Sequence, residues 1–183
     1  VGIEGELLVE KKKSSRATCA IAKSHASIDP MAIGCAQGIL SIVGIGPGAA
    51  SWRTPQVTEI LTLADDVVGY GLYLDLVEDL IGSKPRHSSE LGREEDRVRL
   101  ALNLATKGRR VALVCSGDAG IYALATLVYE LLDCNKNTDW NRVDVSVAPG
   151  ISALQAAAAR IGAPLGHDFC SISLSDLLTP QED

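Results

Sequence analysis

Apolar positions along this chain follow two regimes that meet near residue 38. Beyond it, short runs rich in Val, Ile and Leu alternate with longer stretches spaced for helix. Runs 39–45, 110–114 and 143–147 are apolar over most of their length, which predicts strands covered on both faces, as in a parallel sheet, and 66–69 reads as a further short strand. Thr54-Pro55 opens the first expected helix, with Thr as N-cap and Pro at the first helical position, running to about residue 64. Further helices are expected at 72–80 and at 94–107. In the latter, Val98, Leu100, Ala101, Leu104 and Ala105 keep a helical spacing and Gly108 ends it. Helices at 120–132 and 151–161 follow the next two strands. Residues 82–91 read as polar loop, and 169–174 as one more short strand. The alternation predicts an α/β fold, a mostly parallel sheet with helices on both faces.

Before residue 38 the pattern is different. Leu7-Leu8-Val9 and the run 17–22 flank a polar turn at 10–16, the signature of a hairpin, and 23–37 has no sustained period. A lone hairpin is marginal in water. The expected organisation is a remnant of a preceding domain at 1–26, a linker at 27–37, and one α/β domain at 38–183. The chain begins at Val1 and its sole methionine is Met31, so a piece of a longer translation product is expected.

Composition narrows the function classes. At 183 residues there is room for one α/β domain and an appendage. Aromatics are 4% of residues, so aliphatic side chains must build the core. A net charge of −6 argues against nucleic acid, which needs clustered cations; Lys11-Lys12-Lys13 reads as a solvated loop. No apolar run reaches the ~18–20 residues of a membrane helix, and no secretion signal is present. Cys19, Cys35, Cys115, Cys134 and Cys170 are dispersed, as free thiols of a reducing, cytoplasmic setting are. His25, His87 and His167 lack ligand spacing, so no metal site is expected.

Three strand ends run into small-residue turns: Gly46-Pro47-Gly48, Cys115-Ser116-Gly117-Asp118-Ala119-Gly120, and Ala148-Pro149-Gly150-Ile151-Ser152. Ligands of parallel sheets bind at this edge. Gly44-x-Gly46-x-x-Ala49 fits a loose dinucleotide fingerprint, with Asp65-Asp66 about 20 residues on. Against it, the helix waits until Thr54-Pro55 and the acidic pair precedes its strand. A tight turn is the other reading. A P-loop is excluded, because no Gly-Lys-Ser/Thr follows. Asp118 reads equally as a cap for the next helix or as an acceptor for a ligand's ammonium or ribose hydroxyls. At Gly150-Ile151-Ser152, helix amides favour an anion. Cys115 reads as a small buried hydrophobe, and His167-Asp168 as a local turn contact.

Together the motifs resemble the tetrapyrrole methylase family, which methylates corrin and siroheme precursors with S-adenosylmethionine. The resemblance rests on Val43-Gly44-Ile45-Gly46-Pro47-Gly48, on LTLADDVVGY at 61–70, on Ser116-Gly117-Asp118-Ala119-Gly120-Ile121-Tyr122, and on APGISALQ at 148–155. It extends over about 38–183. GAPLGHDFC at 162–170 and SLSDLLTP at 173–180 are similar to its precorrin-3B C(17)-methyltransferase branch, whose reaction also contracts the ring. Residues 5–22 are similar to the closing strands of the CbiG cobalt-precorrin-5A hydrolase family, which implies a fused parent.

By this resemblance the cofactor lies between two α/β domains. Pro47, Ser116, Gly117, Asp118, Ile121, Ser152 and Ala153 fall at or beside S-adenosylmethionine, and Gly46 and Gly48 near the tetrapyrrole. Arg53, Arg86 and Arg93 are the loop cations available to an anionic substrate, Arg53 being the one assigned to it. Asp118 is the candidate acid or base. Two residues depart from the family pattern: Ala119 replaces a proline, and Trp52-Arg53 an aliphatic pair. A homodimer is implied for the full-length enzyme. The second domain is expected to begin where this chain stops, at Asp183, leaving half a cleft and an inactive fragment. The rival expectations are a methyltransferase for another tetrapyrrole and a binding module without catalysis.

Overall fold

The structure, a computed structural model, describes residues 38–134 and 139–172. The expected hairpin and linker at 1–37 lie outside the described residues. Five strands, β1 (Gly38–Gly44), β2 (Asp66–Tyr70), β3 (Arg86–Ser89), β4 (Arg110–Cys115) and β5 (Val143–Ala148), form one sheet in the order β3-β2-β4-β1-β5. Every pairing is parallel. Six helices connect or follow them: α1 (Pro55–Leu63), α2 (Gly71–Asp75), α3 (Glu78–Ile81), α4 (Glu94–Ala105), α5 (Leu124–Cys134) and α6 (Ala153–Ile161).

The strands alternate their side chains between two cores. Leu40, Ile42, Val111, Leu113 and Cys115 pack with Val98, Leu102 and Val128 of α4 and α5. Val43, Ala112 and Val114 point the other way, toward Val57, Leu61, Leu74 and Ile81 of α1, α2 and α3. Each fully buried aliphatic side chain contributes roughly 1.5–3 kcal/mol. The two-faced α/β architecture is therefore the expected one.

Strand order locates the ligand edge. β1 and β4 are neighbours, yet the chain leaves β1 over the α1 face toward β2 and leaves β4 over the α5 face toward β5. Two adjacent strands whose connections diverge make a topological switch point, where open α/β sheets hold ligands. At the opposite edge, buried Asp66 is bonded to His87 Nε2 at 2.8 Å and to Arg109 Nε. That commitment, at the amino end of β2, removes Asp66 as a ribose-binding acid.

Several elements differ from the sequence expectation. The polar loop 82–91 contains β3, whose Arg-His-Ser-Ser carries no apolar residue because it is an edge strand. The helix expected at 72–80 is two, broken at Val77 (φ −120°, ψ 14°). Arg53 Nη2 donates to the Leu76 carbonyl freed at that break. Helix α5 starts at Leu124 rather than 120, since Tyr122 sits at φ 50° and interrupts the turn. Helix α6 starts at Ala153, because Ser152 is its N-cap. β5 is an edge strand with exposed Asp144 and Ser146, not a strand covered on both faces. Residues 169–172 form no strand, and 173–174 lie outside the described residues. Thr54 does cap α1, its Oγ1 accepting from Val57 N at 3.3 Å.

Candidate functional site

The three loops at the carboxyl edge are fastened to one another by backbone. Past the end of β1, Ile45 N donates to Cys115 O at 3.0 Å. Gly46 and Gly117 then exchange reciprocal bonds, at 3.1 and 2.9 Å. Both glycines have positive φ, 78° and 64°, which favours glycine. The third loop comes closer still. A Cβ on Gly150 would stand 2.2 Å from Gly117 O and 2.3 Å from Gly44 O, so only glycine permits the approach.

Asp118 completes the fastening. Its Oδ1 accepts from Gly120 N at 2.8 Å and its Oδ2 from Gly150 N at 3.0 Å. The carboxylate therefore ties the second loop to the third, and it does not cap α5, which begins farther on. Ser152 is also committed locally. It closes a capping box with Gln155, accepting from Gln155 N at 3.2 Å while Gln155 Oε1 accepts from Ser152 N at 3.0 Å. The half-buried hydroxyl of Ser116, by contrast, has no partner among the described residues. Beside it, Ile121 and Tyr122 are 49% and 64% exposed, and Tyr122 Oη donates to Ser171 O at 2.7 Å.

Next to this floor opens a groove of about 330 Å³. Pro47, Ala49 and Trp52 of the first loop form one wall. The other is the face of α6 bearing Ala153, Ala156, Ala157 and Arg160, a spacing that puts all four on one side of a helix.

The cations expected to serve an anion are placed differently from one another. Arg53, with its side chain only 5% exposed, donates to both oxygens of Asp79 as well as to Leu76 O. It thus anchors its loop to the α2–α3 turn. Arg86 is a correction: it begins β3 rather than lying in a loop, and it pairs with Asp75 at the far edge of the sheet. Arg93 pairs with Asp96 in the open. Sequence reasoning missed Arg160, a single cation on an alanine-rich helix. The signal was its position seven residues after Ala153.

Two other candidates resolve. Cys115 is 3% exposed, and burial pushes its thiol up to about 11, only partly offset by a hydrogen bond with the Leu124 backbone. A thiol so seldom ionised is a packing group rather than a nucleophile. His167 and Asp168 are both exposed and not bonded to each other, so the expected turn contact does not form. The dinucleotide reading fails as well. Between Gly46 and α1 lies a 3-10 turn at Ala50–Trp52, so no helix opens on the glycines.

Comparison with known proteins agrees with this geometry. The chain is 48% identical over 142 residues to a probable cobalt-factor III C(17)-methyltransferase of Salmonella typhimurium, covering 78% of this chain and 57% of that protein. It is 44% identical over 145 residues to a precorrin-3B C(17)-methyltransferase of Sinorhizobium, covering 79% of this chain and 56% of the relative. The chain thus spans little more than half the length of these relatives. The crystal structure of the methyltransferase CobJ superposes with a TM-score of 0.72 at 41% identity, covering 78% of this chain and 59% of that one. No helix among the described residues is long and apolar enough to cross a membrane. Residues 40–183 match the model of the Tetrapyrrole (Corrin/Porphyrin) Methylases, and the chain belongs to that family.

Proposed function

We propose that this chain forms the methyl-donor floor of an enzyme that methylates C(17) of a corrin precursor of the precorrin-3B or cobalt-factor III kind, in cobalamin biosynthesis. The supporting observation is the floor itself: three strand-end loops locked together at the switch point, presenting backbone and small side chains. The free thiols of Cys115 and Cys170 are compatible with the cytoplasm as its setting.

The residues present fit S-adenosylmethionine. A Cβ on Gly117 would stand 3.5 Å from Ala153 N and 3.6 Å from Ser152 Cα, so the missing side chain leaves a hollow between the second loop and the start of α6. The second loop carries an unpartnered hydroxyl, Ser116, next to Gly117 in sequence and, farther along, an exposed aliphatic side chain, Ile121, while the start of a nine-residue helix brings the Ala153 amide to the hollow. This set can receive hydroxyls, an apolar ring face and a carboxylate. When bound, the cofactor supplies an electrophilic methyl group on a sulfonium. The chain's own work is orientation. Gly46, Gly117 and Gly150 let the loops lie close, Ala153 borders both hollow and groove while Pro47 lines the groove, and Asp118 holds the loops in register. Both Asp118 oxygens are taken by amides, so its role is positioning rather than proton transfer. Alignment of this kind is worth about 7–11 kcal/mol of a bimolecular barrier.

The test is methyl transfer by a protein that carries this chain together with the remaining length of its relatives. With S-adenosylmethionine and precorrin-3B or cobalt-factor III, the product should gain one methyl group by mass spectrometry. Transfer to neither substrate would overturn the proposal.

A further inference from the structure

The guanidinium of Arg160 is set apart from the other arginines of the described sheet and helices. Arg53, Arg86, Arg93, Arg97, Arg99, Arg109 and Arg110 each engage a carboxylate or a carbonyl. Arg160 has neither among the described residues, and it stands at the wall of the groove. The rest of that wall is apolar, with Pro47, Ala49 and Trp52 across from Ala153 and Ala157. An apolar trough with one cation at its side suits a ligand with a broad apolar body and a carboxylate at its rim.

Position separates this groove from the methyl-donor hollow. Arg160 lies two turns beyond Ser152 along α6, about 12 Å at 1.5 Å per residue. Its opposite wall is the first loop, whereas the hollow is walled by the second. Ala153 is where the two meet. A ligand in the groove therefore lies beside the hollow without displacing what the hollow holds.

We propose that Arg160 is a substrate-binding residue that takes a peripheral carboxylate of the tetrapyrrole while its ring rests against Trp52 and the alanine face of α6. This inference rests on the methyltransferase reading for the identity of the ligand. Its chemistry, a charge-assisted contact from an Arg fork to a carboxylate, is general. Cofactor and substrate both carry carboxylates, so the experiment must tell them apart.

The chain has two tryptophans, which makes the groove observable. Trp140 is buried, with Nε1 donating to Asn103 Oδ1 at 2.8 Å, and Trp52 faces the groove. In a nitrogen–proton NMR titration with a porphyrin polycarboxylate, the Trp52 indole resonance should shift strongly and that of Trp140 should not. Arg160→Gln should weaken binding about tenfold, a typical loss for one charged contact. The same porphyrin with its acids converted to neutral hydroxyethyl amides should bind wild type no better than the acid binds Arg160→Gln. An unshifted Trp52, equal affinity of wild type and Arg160→Gln, or equal affinity of acid and amide would each overturn the inference. So would an Arg160→Gln variant that weakens S-adenosylmethionine instead of the porphyrin. The methyl-transfer assay stays separate: transfer that survives with Arg160 irrelevant to binding sinks only this inference, and absence of transfer sinks only the parent reading.

Discussion

At the residue scale, Cys115 gives the clearest pH signature. Its folded-state thiol is raised to about 11 from an ordinary 9.0 because burial disfavours the thiolate. The neutral form is thus favoured in the fold, and its contribution is complete below pH 9. It declines as pH climbs toward 11, where the unfolded chain has already released the proton. We expect Cys134 and Cys170, both exposed, to be alkylated at pH 8 while Cys115 is protected until urea unfolds the chain. Peptide mapping by mass spectrometry reads this directly, and prompt labelling of Cys115 in the folded protein would contradict it. The burial of Cys115 was legible in advance from the apolar run before it and the lack of a placed histidine. The role of Asp118 was not. Its partner Gly150 is distant in sequence, so the bridge appears only when β4 and β5 flank β1. Arg160 was illegible for a simpler reason: one cation on a helix usually means a solvated face.

At the scale of elements, legibility followed burial. β1 and β4 sit at the centre of the sheet and read plainly as apolar runs. β3 at the edge has nothing apolar to reveal it, and the break before α3 carries no Gly or Pro to mark it. In sequence the loops read as places where backbone approaches a ligand. Part of that reading shifts, since Gly44 and Gly150 are glycines because the loops approach each other. Gly150→Ala forces a Cβ onto two carbonyl oxygens and should destabilise the fold by about 1–3 kcal/mol, as overpacked sites do. Gly71→Ala, where nothing lies within 4 Å of the added carbon, is the control and should change stability by no more than about 1 kcal/mol. Urea midpoints compare the two. Equal midpoints would mean that the loops part easily.

At the scale of the whole molecule, the order of the strands decides where the loops meet. The switch point between β1 and β4 places the floor, and no single loop motif could have done so. Yet the groove beside it is open, and this chain spans little more than half of its relatives. We therefore expect the 183-residue chain alone to bind S-adenosylmethionine more weakly than micromolar in a calorimetric titration, and a protein of the relatives' full length to bind it more tightly. Micromolar binding by the shorter chain would show that the hollow needs no second wall.

The reciprocal bond between Gly46 and Gly117, together with the Asp118 clasp on Gly150, has a mechanical consequence. Three loops drawn from distant parts of the chain are bonded into one plate rather than standing as three fingers. From Pro47 the connection runs through the Gly46 peptide to Gly117, and through Asp118 to the amide of Gly150. The next residues are Ile151 and Ser152, so the bonded path that starts in the first loop ends at the N-cap of α6.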